Sequence, residues 1–227
     1  MPSKHTVKQY VEDGFYHIYN RGVEKRELFL DDQDYRVFLH LLKVYLSPVE
    51  INKHPLTDLT GFKPVRFRPL SNLNKEVDLL CFCLMPNHFH LLIKQSSLDG
   101  MSKLLRRVST TYALYFNQRY SRVGHLFQGI YKAAIVLDEP YLLHLSRYIH
   151  LNPLELTRIN PVNYPYSSYS YYSGQKTCDW LNTEFILSFF KRVNDPTVKG
   201  LRSYGEFVGG YLEDPRGIIG DLTLESD

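Results

Sequence analysis

Two short stretches of this sequence carry side chains whose types and spacing could do chemistry. In Met85-Pro86-Asn87-His88-Phe89-His90-Leu91-Leu92-Ile93 the histidines stand two residues apart. Residues i and i+2 of a strand face the same way, so His88 and His90 project together while Phe89, Leu91 and Ile93 face the other side. Side-by-side imidazoles can grip one metal ion; the same pair also describes two hydrogen-bonded, chemically idle histidines. The second stretch is His144-Leu145-Ser146-Arg147-Tyr148-Ile149-His150-Leu151-Asn152-Pro153. Helical spacing stacks His144, Tyr148 and Asn152 on one face and leaves Leu145, Ile149 and Leu151 for packing. It also reads as an interfacial tyrosine followed by an asparagine C-cap. By composition Tyr112, Tyr115 and Tyr120 are equally available phenols.

Together the stretches suggest more than either does alone. Two imidazoles and a carboxamide oxygen, with positions left open for phosphate oxygens or water, make a mixed N/O donor set. Such a set suits Mg²⁺ or Mn²⁺ and is less typical of structural zinc. A phenol one helical turn from the carboxamide would then lie beside a metal-bound phosphate. Tyrosine titrates near pH ~10, so a neighbouring cation is needed to populate phenolate. The same cation can polarise a phosphate and orient it for in-line attack.

The elements that must position these groups are legible in outline. Phe15 to Asn20 is a short aromatic and β-branched run, read as a first strand. Asp34 to Leu46 places apolar residues at helical spacing behind Asp31 and Asp32 as caps. Val77 to Leu84 and His88 to Lys94 form a hairpin around Met85-Pro86-Asn87. Met101 to Tyr120 is a basic, aromatic helix and Phe127 to Leu137 a last strand. Asp138-Glu139-Pro140 opens a helix that Pro153 stops. The order βαββαβ plus a helix predicts an α+β fold, a ferredoxin-like antiparallel sheet with helices on one face.

Ser47 to Lys75, with the cations Lys63, Arg66 and Arg68, reads as a long excursion with a minor hairpin. The Tyr/Ser-rich run from Tyr164 to Gly174 reads as loop and suggests a boundary: a first domain over 1–165 and an extension over 166–227. Within the extension, Trp180 to Phe190 and Tyr204 to Tyr211 have the pattern of two amphipathic helices.

The 227 residues are 44% apolar with a net charge of +3 and three cysteines, which excludes disorder, collagen and a disulfide scaffold. No run approaches the ~18 apolar residues of a membrane helix, and no signal-peptide core follows Met1. A cytoplasmic, reducing location fits the odd cysteine count. From Gly100 to Leu137 there is no acid, while Lys103, Arg106, Arg107, Arg119, Arg122 and Lys132 supply six cations. Glu206 to Asp227 holds six acids against Arg216 alone. A basic middle interleaved with Tyr112, Tyr115, Phe116, Tyr120 and Phe127 suits phosphates and stacked bases; a plain solvated face is the alternative. The acidic end could compete with such a partner.

The runs Leu84 to Leu92, Phe116 to Tyr120 into Gly124 to Gly129, Tyr148 to Pro153 and the strand ending Tyr19-Asn20-Arg21-Gly22 closely resemble the REP-associated tyrosine transposases. These are single-tyrosine HUH transposases, and the resemblance spans residues ~14 to ~174, with several motifs in order. It implies a ferredoxin-like catalytic domain with His88 and His90 as metal ligands, Asn152 as a third ligand, and Tyr148 as nucleophile. It further implies cleavage of single-stranded DNA near a hairpin, leaving a 5′-phosphotyrosyl link and a free 3′-hydroxyl, with Mg²⁺ or Mn²⁺ and no nucleotide cofactor. Arg21 and the six cations above are the expected DNA contacts. The protein could act as monomer or homodimer, on a mobile element or as a domesticated enzyme or repressor.

A rival reading starts from the hairpin. If Pro86-Asn87 is a two-residue turn, Cys83 lies opposite His90 on the same face. A thiolate beside two imidazoles would favour zinc and a structural or DNA-binding module without cleavage. Cys81 and Cys83 fall in an apolar run, where cysteine is usually a small buried hydrophobe.

Overall fold

A computed structural model describes residues 10–48, 72–157, 161–191, 198 and 201–210. The cations Lys63, Arg66 and Arg68, and the acidic end beyond Gly210, lie outside the described residues. Four strands form one antiparallel sheet: β1 (Phe15–Arg21), β2 (Val77–Met85), β3 (His88–Gln95) and β4 (Lys132–Val136), in the order β2-β3-β1-β4. With α1 (Asp32–Leu46) between β1 and β2 and α2 (Gly100–Arg119) between β3 and β4, this is the expected ferredoxin-like α+β fold.

Period-2 alternation splits the sheet into two unlike faces. Tyr16, Ile18, Leu84, Phe89, Leu91 and Ile93 join α1 and α2 in one buried cluster. Cys81, Cys83, Met85 and Leu92 join a second cluster with α3 (Glu139–Leu151) and the residues after it. A bulge between Leu79 and Cys81 sets this division on β2. Leu79 faces the first cluster, while Leu80 and Cys81 both serve the second, so the strand changes phase ahead of the histidines. Fully burying each large apolar side chain in such clusters contributes about 1.5–3 kcal/mol.

Caps fix the helix starts. The Asp31 carboxylate accepts from the Asp34 amide at 3.2 Å at the head of α1. Asp138 accepts from the Tyr141 amide at 2.7 Å at the head of α3, with Pro in its first turn. The last strand is shorter than its sequence suggests. Gly129 takes φ +73°, so the chain bends there; Phe127 makes only an isolated bridge to Gly22, and regular pairing starts at Lys132.

Beyond α3 come α4 (Leu154–Thr157), α5 (Tyr169–Tyr172), α6 (Thr183–Leu187) and α7 (Tyr204–Gly209). The helix expected over Trp180 to Phe190 is shorter, because Asn182 caps a start at Thr183 and a 3-10 turn over Ser188–Lys191 ends it. Elements on both sides of residue 165 share the second cluster, and the backbone around Tyr166–Ser168 and Asn182 bonds along the outer edge of β2. Among the described residues no helix is long and apolar enough to cross a membrane.

Candidate active site

The β2–β3 hairpin turns at Pro86-Asn87, which puts Met85 opposite His88 and Cys83 opposite His90. Its tip is held from β1: Gly22 N–H donates to Asn87 O at 2.9 Å, and Leu28 and Phe29 N–H both donate to Pro86 O. Glycine is required at 22, since a Cβ there would stand 2.1 Å from the Arg26 carbonyl oxygen. The turn residues Arg21-Gly22 therefore set the height at which His88 leaves the hairpin.

Pairing of β1 with β3 sets Tyr19 opposite His90 and Arg21 opposite His88. By alternation His17 and Tyr19 share the face of the two histidines. The His88 and His90 rings lie 5.0 Å apart, centroid to centroid, and nearly perpendicular. His88 Nδ1 is 2.7 Å from Asn87 Oδ1, so the neighbouring amide orients that imidazole. His90 is fully buried, and its Nδ1 lies 2.8 Å from His17 Nε2. His90 Nε2 is buried without a hydrogen-bond partner. Burial first, then the neighbouring His88 and His17, holds the His90 pKa well below the ordinary imidazole value. Burial alone lowers His17 to about 3. Both are neutral at pH 7, the form that ligates metal.

Helix α3 crosses this face and delivers Tyr148. Its ring, 5% exposed, meets His90 edge-on at 5.6 Å and His17 at 6.4 Å. Asn152, buried, sends its Nδ2 to the Tyr148 carbonyl at 2.9 Å; this anchors the carboxamide to the helix end and leaves Oδ1 as its donor atom toward a cation. His144 and His150 point to other tasks. His144 Nδ1 meets the Arg147 guanidinium at 2.6 Å. His150 bridges Tyr204 Oη and Ser168 Oγ, each at 2.6 Å, and joins α7 to the catalytic-side helix.

Two expected cations share the histidine face. Arg21 donates through Nε to Gln128 Oε1, and Lys132 lies opposite Tyr19 with its ammonium 5.9 Å from that ring. The others do not join them. Lys103, Arg106, Arg107 and Arg119 ride on α2, across the sheet. Lys103 is held by Glu76 and Asp99, and Arg119 by Asp31 and the buried Asp34. Arg107 caps the Tyr45 ring, Arg122 bonds Asn117, and Arg106 is exposed. An acid-free window did not mean unpaired charge, because the counter-ions come from distant segments.

Cys83 lies opposite His90 as the rival reading requires, but it is wholly buried and its thiol reaches Met85 Sδ at 3.7 Å. Among the described residues, no group of three or more His, Cys, Asp or Glu side chains could hold a metal. That leaves the paired imidazoles of His88 and His90 as the candidate donors on this face. The orphaned His90 Nε2 beside a second imidazole fits an oxygen-seeking divalent cation with open positions better than closed tetrahedral zinc.

Comparison with known proteins bears directly on this arrangement. Residues 71–152, from just before β2 to the end of α3, match the family model for IS200-like transposases. That segment contains both histidines, Tyr148 and Asn152. A solved REP-associated tyrosine transposase, bound to a REP hairpin, superposes on this chain with a TM-score of 0.50. The two are 14% identical, over 77% of this chain and 89% of the other. The resemblance to REP-associated tyrosine transposases therefore extends to the fold, and residues 71–152 are similar to IS200-like transposases in sequence. No curated protein matches the chain.

From the sequence His17 has no assigned role, and Tyr19 enters only as part of the strand ending Tyr19-Asn20-Arg21-Gly22, although the signal was there. They alternate on β1 as His88 and His90 do on β3. What the sequence lacked was the register that brings residues 73 apart into one hydrogen bond.

Proposed function

We propose that the protein is a transposase-like, metal-dependent single-stranded DNA endonuclease that cleaves beside hairpin DNA through a covalent tyrosine intermediate and can rejoin the strands. The observation that carries this is the edge-on approach of the Tyr148 ring to His90, 5.6 Å between centroids, in a site whose remaining imidazole nitrogen has no protein partner. His88, His90 and the Asn152 carboxamide oxygen would hold Mg²⁺ or Mn²⁺. Bound there, the cation would neutralise charge on a phosphate and orient it for in-line displacement.

The residues of this chain do the rest. The Tyr148 phenolic oxygen attacks phosphorus and loses its proton to solvent. The P–O3′ bond breaks, the 3′ oxygen leaves as a hydroxyl after taking up a proton, and a 5′-phosphotyrosyl ester remains. Because the ester keeps the phosphate activated, attack by a 3′-hydroxyl reverses the step without a nucleotide cofactor. Arg21 and Lys132 would hold flanking phosphates on the same face. Arg106, Arg107 and Arg122 would meet DNA only beyond it. The partner is hairpin-bearing single-stranded DNA; the structural relative is bound to a REP hairpin.

The test is incubation of labelled hairpin-bearing single strands with Mn²⁺. Wild type should give a denaturant-resistant protein–DNA adduct. Tyr148→Phe, which keeps the ring contacts, should give none at unchanged melting temperature, and His88→Ala should give none with or without metal. An adduct that persists in Tyr148→Phe sinks the reading.

A further inference from the structure

The bond between His17 and His90 is better defined than a packing contact. The two side chains come from adjacent strands, both are 0% exposed, and their ring nitrogens stand 2.8 Å apart. The ring planes differ by 19°, close to the coplanarity that an in-plane N–H···N bond requires. The bond fixes the rotation of both rings and ties the proton placement of one to that of the other.

Two neutral arrangements satisfy it. If His17 donates from Nε2, His90 keeps its own proton on Nε2, a buried N–H with no acceptor, aimed where a cation would have to sit. If His90 donates from Nδ1, its Nε2 carries a bare lone pair, and the unpartnered N–H falls instead on His17 Nδ1. Only the second arrangement makes His90 a donor to a metal. We infer that His17 is a positioning residue: by accepting the Nδ1 proton of His90 it locks that ligand in the metal-ready tautomer. This rests on the metal reading above and assigns a task to β1 that neither histidine of the hairpin can perform.

The consequence is an affinity held by a residue that touches neither metal nor DNA. Loss of such an outer partner typically weakens metal binding about 10–100-fold. Titration of the full chain with Mn²⁺ alone, followed by electron paramagnetic resonance, should show that loss in His17→Leu. It should show recovery in His17→Gln, whose amide oxygen replaces the Nε2 acceptor, with melting curves confirming that both variants are folded. Folded His17→Leu binding Mn²⁺ as wild type does, or folded His17→Gln showing no recovery, overturns the inference.

A second measurement does not depend on the variants folding. In the ¹⁵N-histidine spectrum of wild type with Mg²⁺, His90 should be protonated at Nδ1 and coupled to His17 Nε2 across the bond. Protonation of His90 at Nε2 overturns the inference. The two readings fail differently. If wild type and His88→Ala bind Mn²⁺ equally poorly, the metal site itself is refuted and the inference goes with it. A tight wild-type site indifferent to His17→Leu refutes the inference alone.

Discussion

Either face of the sheet buries a charged or titratable cluster, and the two are finished differently. On the α1/α2 face, Asp34 is wholly buried, yet its two oxygens accept from Leu30 N–H, Tyr115 Oη, Tyr120 Oη and Arg119 Nη1, all within 2.9 Å. On the α3 face, the fully buried His17 and His90 bond each other and leave one nitrogen each without a partner. The first cluster is saturated, so its effect is confined to holding α1 to α2. The second is left with coordination capacity that the protein does not use itself. Equal burial thus serves stability in one place and, on the proposed function, ligand binding in the other, and what separates them is whether the last polar atom is used.

Breaking the saturated cluster should have the largest effect on stability. Asp34→Ala leaves Leu30 N–H and the Tyr115 and Tyr120 hydroxyls without their acceptor and Arg119 with the Asp31 carboxylate alone, which should cost about 3–5 kcal/mol in urea unfolding. Adduct formation measured at a temperature where the variant stays folded should be close to wild type. A comparable loss of both would mean the two faces are not separable.

A middle effect is expected at the seam between α3 and α7. Tyr204→Phe deletes a hydroxyl that meets His150 Nδ1 at 2.6 Å and Ser146 Oγ at 3.1 Å. Left with an unsatisfied buried nitrogen, the protein should lose about 1–3 kcal/mol. The smallest effect sharpens the division of cations. Arg21→Gln and Lys132→Gln should each lower the salt dependence of single-strand binding by about 0.7 in the log–log slope. Lys103→Gln, which breaks a surface pair with Glu76, should leave that slope alone and barely move the urea midpoint.

Much of this was legible because it is local. The caps at Asp31 and Asp138, the Pro86-Asn87 turn and the shared facing of His88 and His90 each follow from residues within a few positions of one another. The ferredoxin-like order could be read from element types alone. What escaped depends on long-range pairing or on backbone conformation. Gly129 cut the last strand short through a positive φ that a hydrophobic pattern does not reveal. The helix expected from Trp180 shrank because Asn182 served as a cap while Trp180 and Leu181 were drawn into the α1/α2 core. Six cations without a nearby acid read as one basic surface, yet Lys103 and Arg119 find acids up to 88 residues away.

Among the described residues, the stretch from Tyr164 to Asn182 covers the outer edge of β2. Leu84 N–H donates to Tyr166 O, Ser168 N–H to Phe82 O and Asn182 N–H to Leu79 O, while the Tyr164 and Tyr172 hydroxyls donate to Leu84 O and Leu80 O. An open strand margin is a template for unwanted association, and here it is sealed by the chain's own later residues. A shortened chain ending at residue 163 would keep every group in the proposed site and still be a poor reagent, exposing a bare hydrogen-bonding rim that invites self-association. For this protein, the minimal unit that stays dispersed in solution is longer than the minimal unit that holds the proposed site.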